Sequence, residues 1–216
     1  TIAGCYDQWY RTQRGARYDR LEKQAIDRIL PHRGDSRNLL EVGCGSGHWS
    51  EYFAAKGYHV IGVDISEEMI QNARDLNAAN GEFFVANGEE LPFDDNHFDV
   101  VAAISSIEFT NHPEQVLAEM VRCVKKPAGK IIIGVLNAVS PYVQRKAASS
   151  NIYASAALFS PQELKDFLSK FGKVQMRVAG FAPRSDWLLP LSPMFEYFCR
   201  MLGSKHGAFI AAKVGL

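Results

Sequence analysis

Along the 216-residue chain, short apolar and β-branched runs alternate with amphipathic stretches, the pattern of βαβ units feeding a parallel sheet. The fold class it predicts is α/β. An N-terminal helix is expected near Ala16 to Leu30 and a first strand over Asn38 to Val42; Gly43 to Gly47 then turn the chain into a helix that stops near Gly57. A second strand, His59 to Asp64, leads to Ser66, an N-cap followed by Glu67 and Glu68 in the electropositive first turn of a helix reaching about Asn80. Further strands are expected at Glu82 to Ala86, Phe98 to Ile104 and Lys130 to Leu136, with a helix from Pro113 to about Lys125 before the last of these. Three of these strands are nearly continuous apolar runs, as a sheet covered on both faces requires. Downstream, Ser160-Pro-Gln-Glu163 spells a capping box with proline at the first helical position, opening a helix that stops at Gly172. Two last strands, Lys173 to Ala179 and Ala208 to Val214, bracket an aromatic, proline-rich segment from Phe181 to His206 that is too apolar for a free linker. Residues Ala138 to Leu158 form a second long connection, and connections of that length tend to cover a site. No internal repeat or linker divides the chain, so 1–216 reads as one domain with a helical cap over 1–35.

Hydrophobic residues make up 47% and charged residues 22%, which excludes disordered and fibrous classes. The longest apolar runs fall far short of the roughly 20 residues a bilayer-crossing helix needs. The first twenty residues mix aromatics with arginines and lack a secretion-type apolar region, so a cytoplasmic location is expected. Cys5, Cys44, Cys123 and Cys199 form no C-x-x-C pair, which argues against a metal site and against a disulfide framework. The 24 basic and 24 acidic residues cancel overall but not locally. Residues 1–40 carry +3, 41–119 carry −13 and 120–216 carry +10, which fits either segments that neutralise each other across a sheet or a cationic ligand at the central segment and an anionic one at the last.

The most informative stretch is LLEVGCGSGHWS, Leu39 to Ser50. Its strand carries an acidic residue, Glu41, near its end, and Gly43, Gly45 and Gly47 let the backbone approach a ligand just before a helix N-terminus. The spacing is G-x-G-x-G, whereas a dinucleotide fingerprint would need glycine where His48 stands. Seventeen residues after Gly47, Asp64 closes the second strand, where a carboxylate accepts hydrogen bonds from both hydroxyls of a ribose. An adenosyl ligand is expected.

From about Leu39 to Asn137 the chain resembles the class I S-adenosylmethionine-dependent methyltransferases, in particular the methyltransferase type 11 group related to quinone-biosynthesis methyltransferases. The pieces that carry the resemblance are EVGCGSG, GVDISEEMI, VANGEELPFDDNHFDVV and HPEQVLAEMVRCVKKPAGKIIIGV, in that order. The resemblance implies a Rossmann-like, seven-stranded, mostly parallel sheet with its last strand antiparallel and helices on both faces. It implies S-adenosylmethionine as cofactor, S-adenosylhomocysteine as product, and a small-molecule methyl acceptor as partner. Residue by residue, it places Gly43, Cys44 and Gly45 against the methionine part, Glu41 on its amino group, Asp64 on the ribose, and Ile65 and Met69 near the adenine. Asn87 stands where the family commonly has an aspartate that accepts from the adenine amino group; Gly88 and Glu89 complete that wall. Ala103 to Ser105 are expected beneath the sulfonium. Tyr6 or Tyr10 of the N-terminal segment is expected to fold over the cofactor.

Other residues are read as structural. Gly57, Gly62 and Gly172 are helix stops or strand packing; Glu51, Glu67 and Glu68 form solvated faces; Trp49 and Tyr52 pack. His48, His112, His206 and Glu108 are candidate bases, and none is assigned as catalytic, since this chain has Phe109 where quinone-type relatives often carry histidine. The acceptor side is expected to come from the N-terminal segment and the insertions 138–158 and 181–206, whose aromatics suggest an apolar pocket. Lys125, Lys126, Lys130, Arg145 and Lys146 are too dispersed to form a nucleic-acid face. A tRNA-modifying enzyme and a non-catalytic adenosyl-ligand binder are the alternative readings.

Overall fold

A computed structural model describes residues 8–31, 37–75, 81–149 and 156–216. In chain order its elements are α1 (Gln13–Asp27), β1 (Arg37–Val42), α2 (His48–Ala55), β2 (Tyr58–Asp64), α3 (Glu67–Asp75), β3 (Glu82–Val85) and β4 (Val100–Ile104). They continue with a 3-10 turn (Ile107–Phe109), α4 (Pro113–Cys123), β5 (Lys130–Leu136), α5 (Pro141–Ser149), α6 (Pro161–Ser169) and β6 (Lys173–Ala179). A second 3-10 turn (Asp186–Leu191), α7 (Ser192–Met201) and β7 (Phe209–Gly215) end the chain. One seven-stranded sheet has the order β3-β2-β1-β4-β5-β7-β6. β1 to β5 pair in parallel, and β7 is antiparallel to both β5 and β6.

The sequence pattern maps onto this architecture with small displacements. The first helix begins at Gln13, ahead of Ala16, because Thr12 caps it by accepting from the Gly15 N–H. The fourth strand begins at Val100 instead of Phe98, which makes only an isolated bridge to Val124. The Ser160 capping box forms as expected: its hydroxyl accepts from the Glu163 N–H and Glu163 Oε2 accepts from the Ser160 N–H. The helix after Ser66 is described to Asp75; the remainder of that expectation lies outside the described residues, as do Cys5 and Tyr6. Residues 138–158, read as a connection, contain α5.

Period-2 alternation splits the strands between two cores. Leu40, Val42, Val101, Ile131 and Ile133 face α4 and α6, meeting Leu117, Met120, Leu164 and Leu168. Leu39, Val60, Val100, Ala102 and Ile132 face α1 and α2, meeting Ile26, Ile29, Trp49 and Phe53. Both faces are therefore dry, which is why the strands read as continuous apolar runs. The connections from β1 through β3 run to one side and those from β4 onward to the other, so the order reverses between β1 and β4. In doubly wound sheets a crevice opens at the carboxyl ends of such strands.

Gly62 on β2 is a packing glycine. A Cβ there would stand 2.7 Å from Phe83 Cδ1 and 2.9 Å from Cys44 Sγ. Gly62→Ala is expected to cost about 1 to 3 kcal/mol through overpacking, read from the urea midpoint; an unchanged midpoint would refute this account.

Candidate functional site

Between β1 and α2 the chain crosses the sheet edge through Gly43 to Gly47. The Gly43 and Cys44 N–H groups donate to the Val63 carbonyl at 2.8 and 3.0 Å, and the Gly45 N–H donates to Asp64 Oδ2 at 2.9 Å. The loop is thus strapped over the end of β2. Gly43 and Gly45 sit at φ +73° and +54°, a region that disfavours side chains. A Cβ at Gly43 would collide with Ser106 Cβ at 2.4 Å, whereas one at Gly45 would meet nothing within 4 Å. Gly45 faces open space. Asp64 Oδ1 accepts from the Ser66 N–H at 2.9 Å, so this carboxylate ties the loop to the start of α3 and still has lone pairs for a ligand.

That open space is a cavity of about 880 Å³, within the size range of small-molecule sites. It lies beyond the carboxyl ends of β1, β2 and β4. Of the residues expected from sequence at a cofactor, these line it: Tyr10, Glu41, Gly43, Cys44, Gly45, Asp64, Ile65, Met69, Asn87, Gly88, Glu89 and Ser105. Their surroundings differ. Tyr10 stacks on the His48 ring with centroids 3.9 Å apart, and His48 Nε2 lies 2.7 Å from Asp19 Oδ1. Asn87 Oδ1 accepts from the Glu89 N–H at 3.0 Å, an Asx turn that leaves one lone pair free for a ligand. Ser105 holds φ +50°, an uncommon conformation for a residue with a side chain, at the tip of β4. Ala103, expected beneath a sulfonium, is instead in the core with its neighbours Ile131 and Ile133; Ile104 and Ser105 form that part of the wall.

Several wall residues were read differently from sequence. Trp49, taken for packing, is 2% exposed against Phe53 and Phe209, yet it also lines the cavity, and its buried Nε1 has no acceptor among the described residues. Glu68, taken for a solvated face, stands on the rim. Glu22 was missed. Its signal was a carboxylate on the apolar stripe Tyr18, Leu21, Ala25 and Ile26 of α1, at a position where a helix normally buries a hydrophobe. His112 and His206 do not line the cavity, and no residue of the 181–206 segment does; Trp187 there is 79% exposed.

The walls include the carboxylates Glu22, Glu41, Asp64, Glu68 and Glu89 and, among the described residues, no lysine or arginine. Glu41 is 1% exposed and accepts a hydrogen bond from the Ser50 hydroxyl at 2.5 Å. Burial, with the Asp64 charge adding, pushes its carboxyl up to about 8. Burial likewise pushes the Cys44 thiol above its ordinary value, with Glu41 and Asp64 adding; Cys44 packs with Ile70, Ala73 and Phe83. It is a core thiol and no nucleophile.

Comparison with known proteins decides the family. Residues 40–133 match the methyltransferase domain family. An uncharacterized protein of Methanocaldococcus jannaschii is 31% identical over 170 residues, covering 77% of this chain and 76% of the relative. The chain belongs to the class I S-adenosylmethionine-dependent methyltransferases. Among its relatives, the malonyl-[acyl-carrier protein] O-methyltransferase of Erwinia pyrifoliae is 31% identical over 163 residues, covering 74% of this chain and 61% of the relative. The demethylmenaquinone methyltransferase of Clavibacter sepedonicus is 36% identical over 118 residues, covering 53% and 47%. The chain thus spans about half to three fifths of those two named enzymes. A methyltransferase of Thermotoga maritima has the same fold at TM-score 0.76 and 25% identity, covering 98% of this chain and 94% of that one. The methyltransferase cofactor carries a sulfonium cation, an ammonium and a ribose diol. A cavity that carries Glu41 and Asp64 at its glycine loop and no lysine or arginine among the described residues, opened by Gly45, fits such a group.

Proposed function

We propose that this methyltransferase moves the methyl group of S-adenosylmethionine to a small-molecule acceptor by in-line displacement. The observation that supports this reading most is the cavity itself. It runs from the glycine loop and Asp64 to Trp9, Phe109, Thr110 and Leu136, leaving room for an acceptor beside the cofactor. In this reading Glu41 holds the cofactor's ammonium, Asp64 its ribose hydroxyls, and Ile65, Met69 and Asn87 its adenine. Tyr10, held by its stack on His48, covers it. The bound cofactor supplies an activated methyl group, so no nucleophilic side chain is required. The protein's task is to align the acceptor with the breaking bond and exclude water. The helical cap and α5 serve the acceptor side.

The test is transfer of labelled methyl from S-adenosylmethionine to a panel of low-molecular-weight hydroxyl, amine, thiol and carbon acids, with S-adenosylhomocysteine as co-product. No label transferred to any of them, despite tight cofactor binding, would defeat the catalytic reading. A pH dependence follows from Glu41. Its carboxyl is neutral below about 8 in the free protein, and pairing with an ammonium requires the ionised form. Binding of S-adenosylhomocysteine therefore releases a proton, and affinity rises toward tenfold per pH unit as pH increases up to about 8. Calorimetry in buffers of different ionisation enthalpy reads the proton directly; Glu41→Gln is expected to lower the release by about one proton.

A further inference from the structure

Behind the acceptor end lies a small chamber of about 30 Å³, walled by Tyr18, Tyr142 and Lys146 and sharing Trp9, Glu22 and Leu136 with the main cavity. The Tyr18 and Tyr142 rings stack at 4.4 Å between centroids, and Trp9 stands 6.4 Å from each. One carboxylate lines this chamber, and a second, buried behind the wall, lies within reach of its charge. Glu22 is 8% exposed, lines both spaces and makes no hydrogen bond or ion pair with a described residue. Glu108 is 1% exposed; its Oε1 accepts from the Leu136 N–H at 3.1 Å, while its buried Oε2 has no partner among the described residues.

Glu22, a nearly buried carboxylate on a cavity wall with no hydrogen bond to a described residue, is placed to be completed by a ligand. Aromatic faces attract cations, and one already does so here: Lys146 Nζ sits 3.7 Å from the centroid of the Trp9 ring. We propose, resting on the methyltransferase reading above, that the acceptor is an alkylamine whose ammonium is received beside Trp9 and the carboxylate of Glu22, where the main cavity meets the chamber. A neutral acceptor would leave the Glu22 carboxylate unanswered. The charged groups around Glu22 are Asp19 and Lys23 on its own helix, the buried Glu108, whose charge reaches it, and Lys146 in the chamber. Burial, with Asp19 and Glu108 adding against Lys23, pushes the Glu22 carboxyl up to about 8, where it exchanges a proton with an amine at neutral pH.

The chemical step then balances as follows. The Glu22 carboxylate takes a proton from the ammonium, and the freed nitrogen lone pair attacks the methyl carbon. The N–C bond forms as the C–S bond breaks, its electron pair passing to sulfur. The products are the methylated ammonium and S-adenosylhomocysteine, and the proton on Glu22 leaves to solvent.

The experiment is calorimetric titration of the protein saturated with S-adenosylhomocysteine, using phenethylamine and n-butylamine against the isosteric alcohols phenethyl alcohol and n-butanol. At least one amine is expected to bind ten or more times tighter than its alcohol. Glu22→Gln is expected to erase that preference while S-adenosylhomocysteine affinity stays within about twofold. Should Glu22→Gln fail to fold, Trp9→Leu at the half-exposed side of the box carries the same test. Amine and alcohol binding equally, neither amine binding, or a preference that survives the variant would overturn the amine assignment. Failure of S-adenosylhomocysteine itself to bind would instead overturn the methyltransferase reading beneath it.

Discussion

Asp64→Ala is expected to weaken S-adenosylhomocysteine binding by at least about 100-fold. The proposed ribose contact contributes two hydrogen bonds to a charged acceptor, at about 1.5 kcal/mol or more each, and every 1.4 kcal/mol is tenfold in affinity. The structure adds a second cause that the motif alone does not contain. Asp64 also accepts from the Gly45 and Ser66 N–H groups, so its loss frees the glycine loop and the start of α3 together. Asp64→Asn separates the two causes. The amide keeps one acceptor oxygen but turns a donor toward a backbone N–H, so an intermediate loss is expected. Wild-type affinity in the alanine variant, measured by calorimetry on folded protein, would remove Asp64 from the site.

Phe209→Ala is expected to lower the unfolding free energy by about 3 to 5 kcal/mol, the usual cost of emptying a large aromatic site. Phe209 is fully buried on β7, its ring parallel to Trp49 at 6.4 Å. Its ring tip occupies the place where a Cβ at Gly134 on β5 would stand, 2.4 Å away. Gly134 has no side chain to refill the hole, so collapse around it is limited. For a domain of this size the loss corresponds to a melting temperature lower by roughly 6 to 20 °C. Because Trp49 also lines the cavity, weaker cofactor binding is expected alongside. A fall of less than 1 kcal/mol in chemical denaturation would show that the site relaxes after all.

Local signals fixed much of this molecule. Period-2 apolar runs marked β1, β4 and β5, the Ser160 capping box marked α6, and the spacing from Gly43 to Asp64 marked a ligand loop, because each of these effects acts over a few neighbouring residues. The residues expected around the cofactor converge on one cavity for the same reason: the ends of β1, β2 and β4 meet wherever such a sheet forms. Glu22, Trp9, Tyr18 and Tyr142 come from α1, the N-terminal segment and α5. No spacing rule connects them. Burial and unanswered charge are properties of three-dimensional neighbours, so only the packing of α1 and α5 over the sheet could show that a nearly buried carboxylate and three aromatic rings line one chamber. The same packing decided against the 181–206 segment, whose aromatics suit a pocket by composition but lie away from the cavity wall.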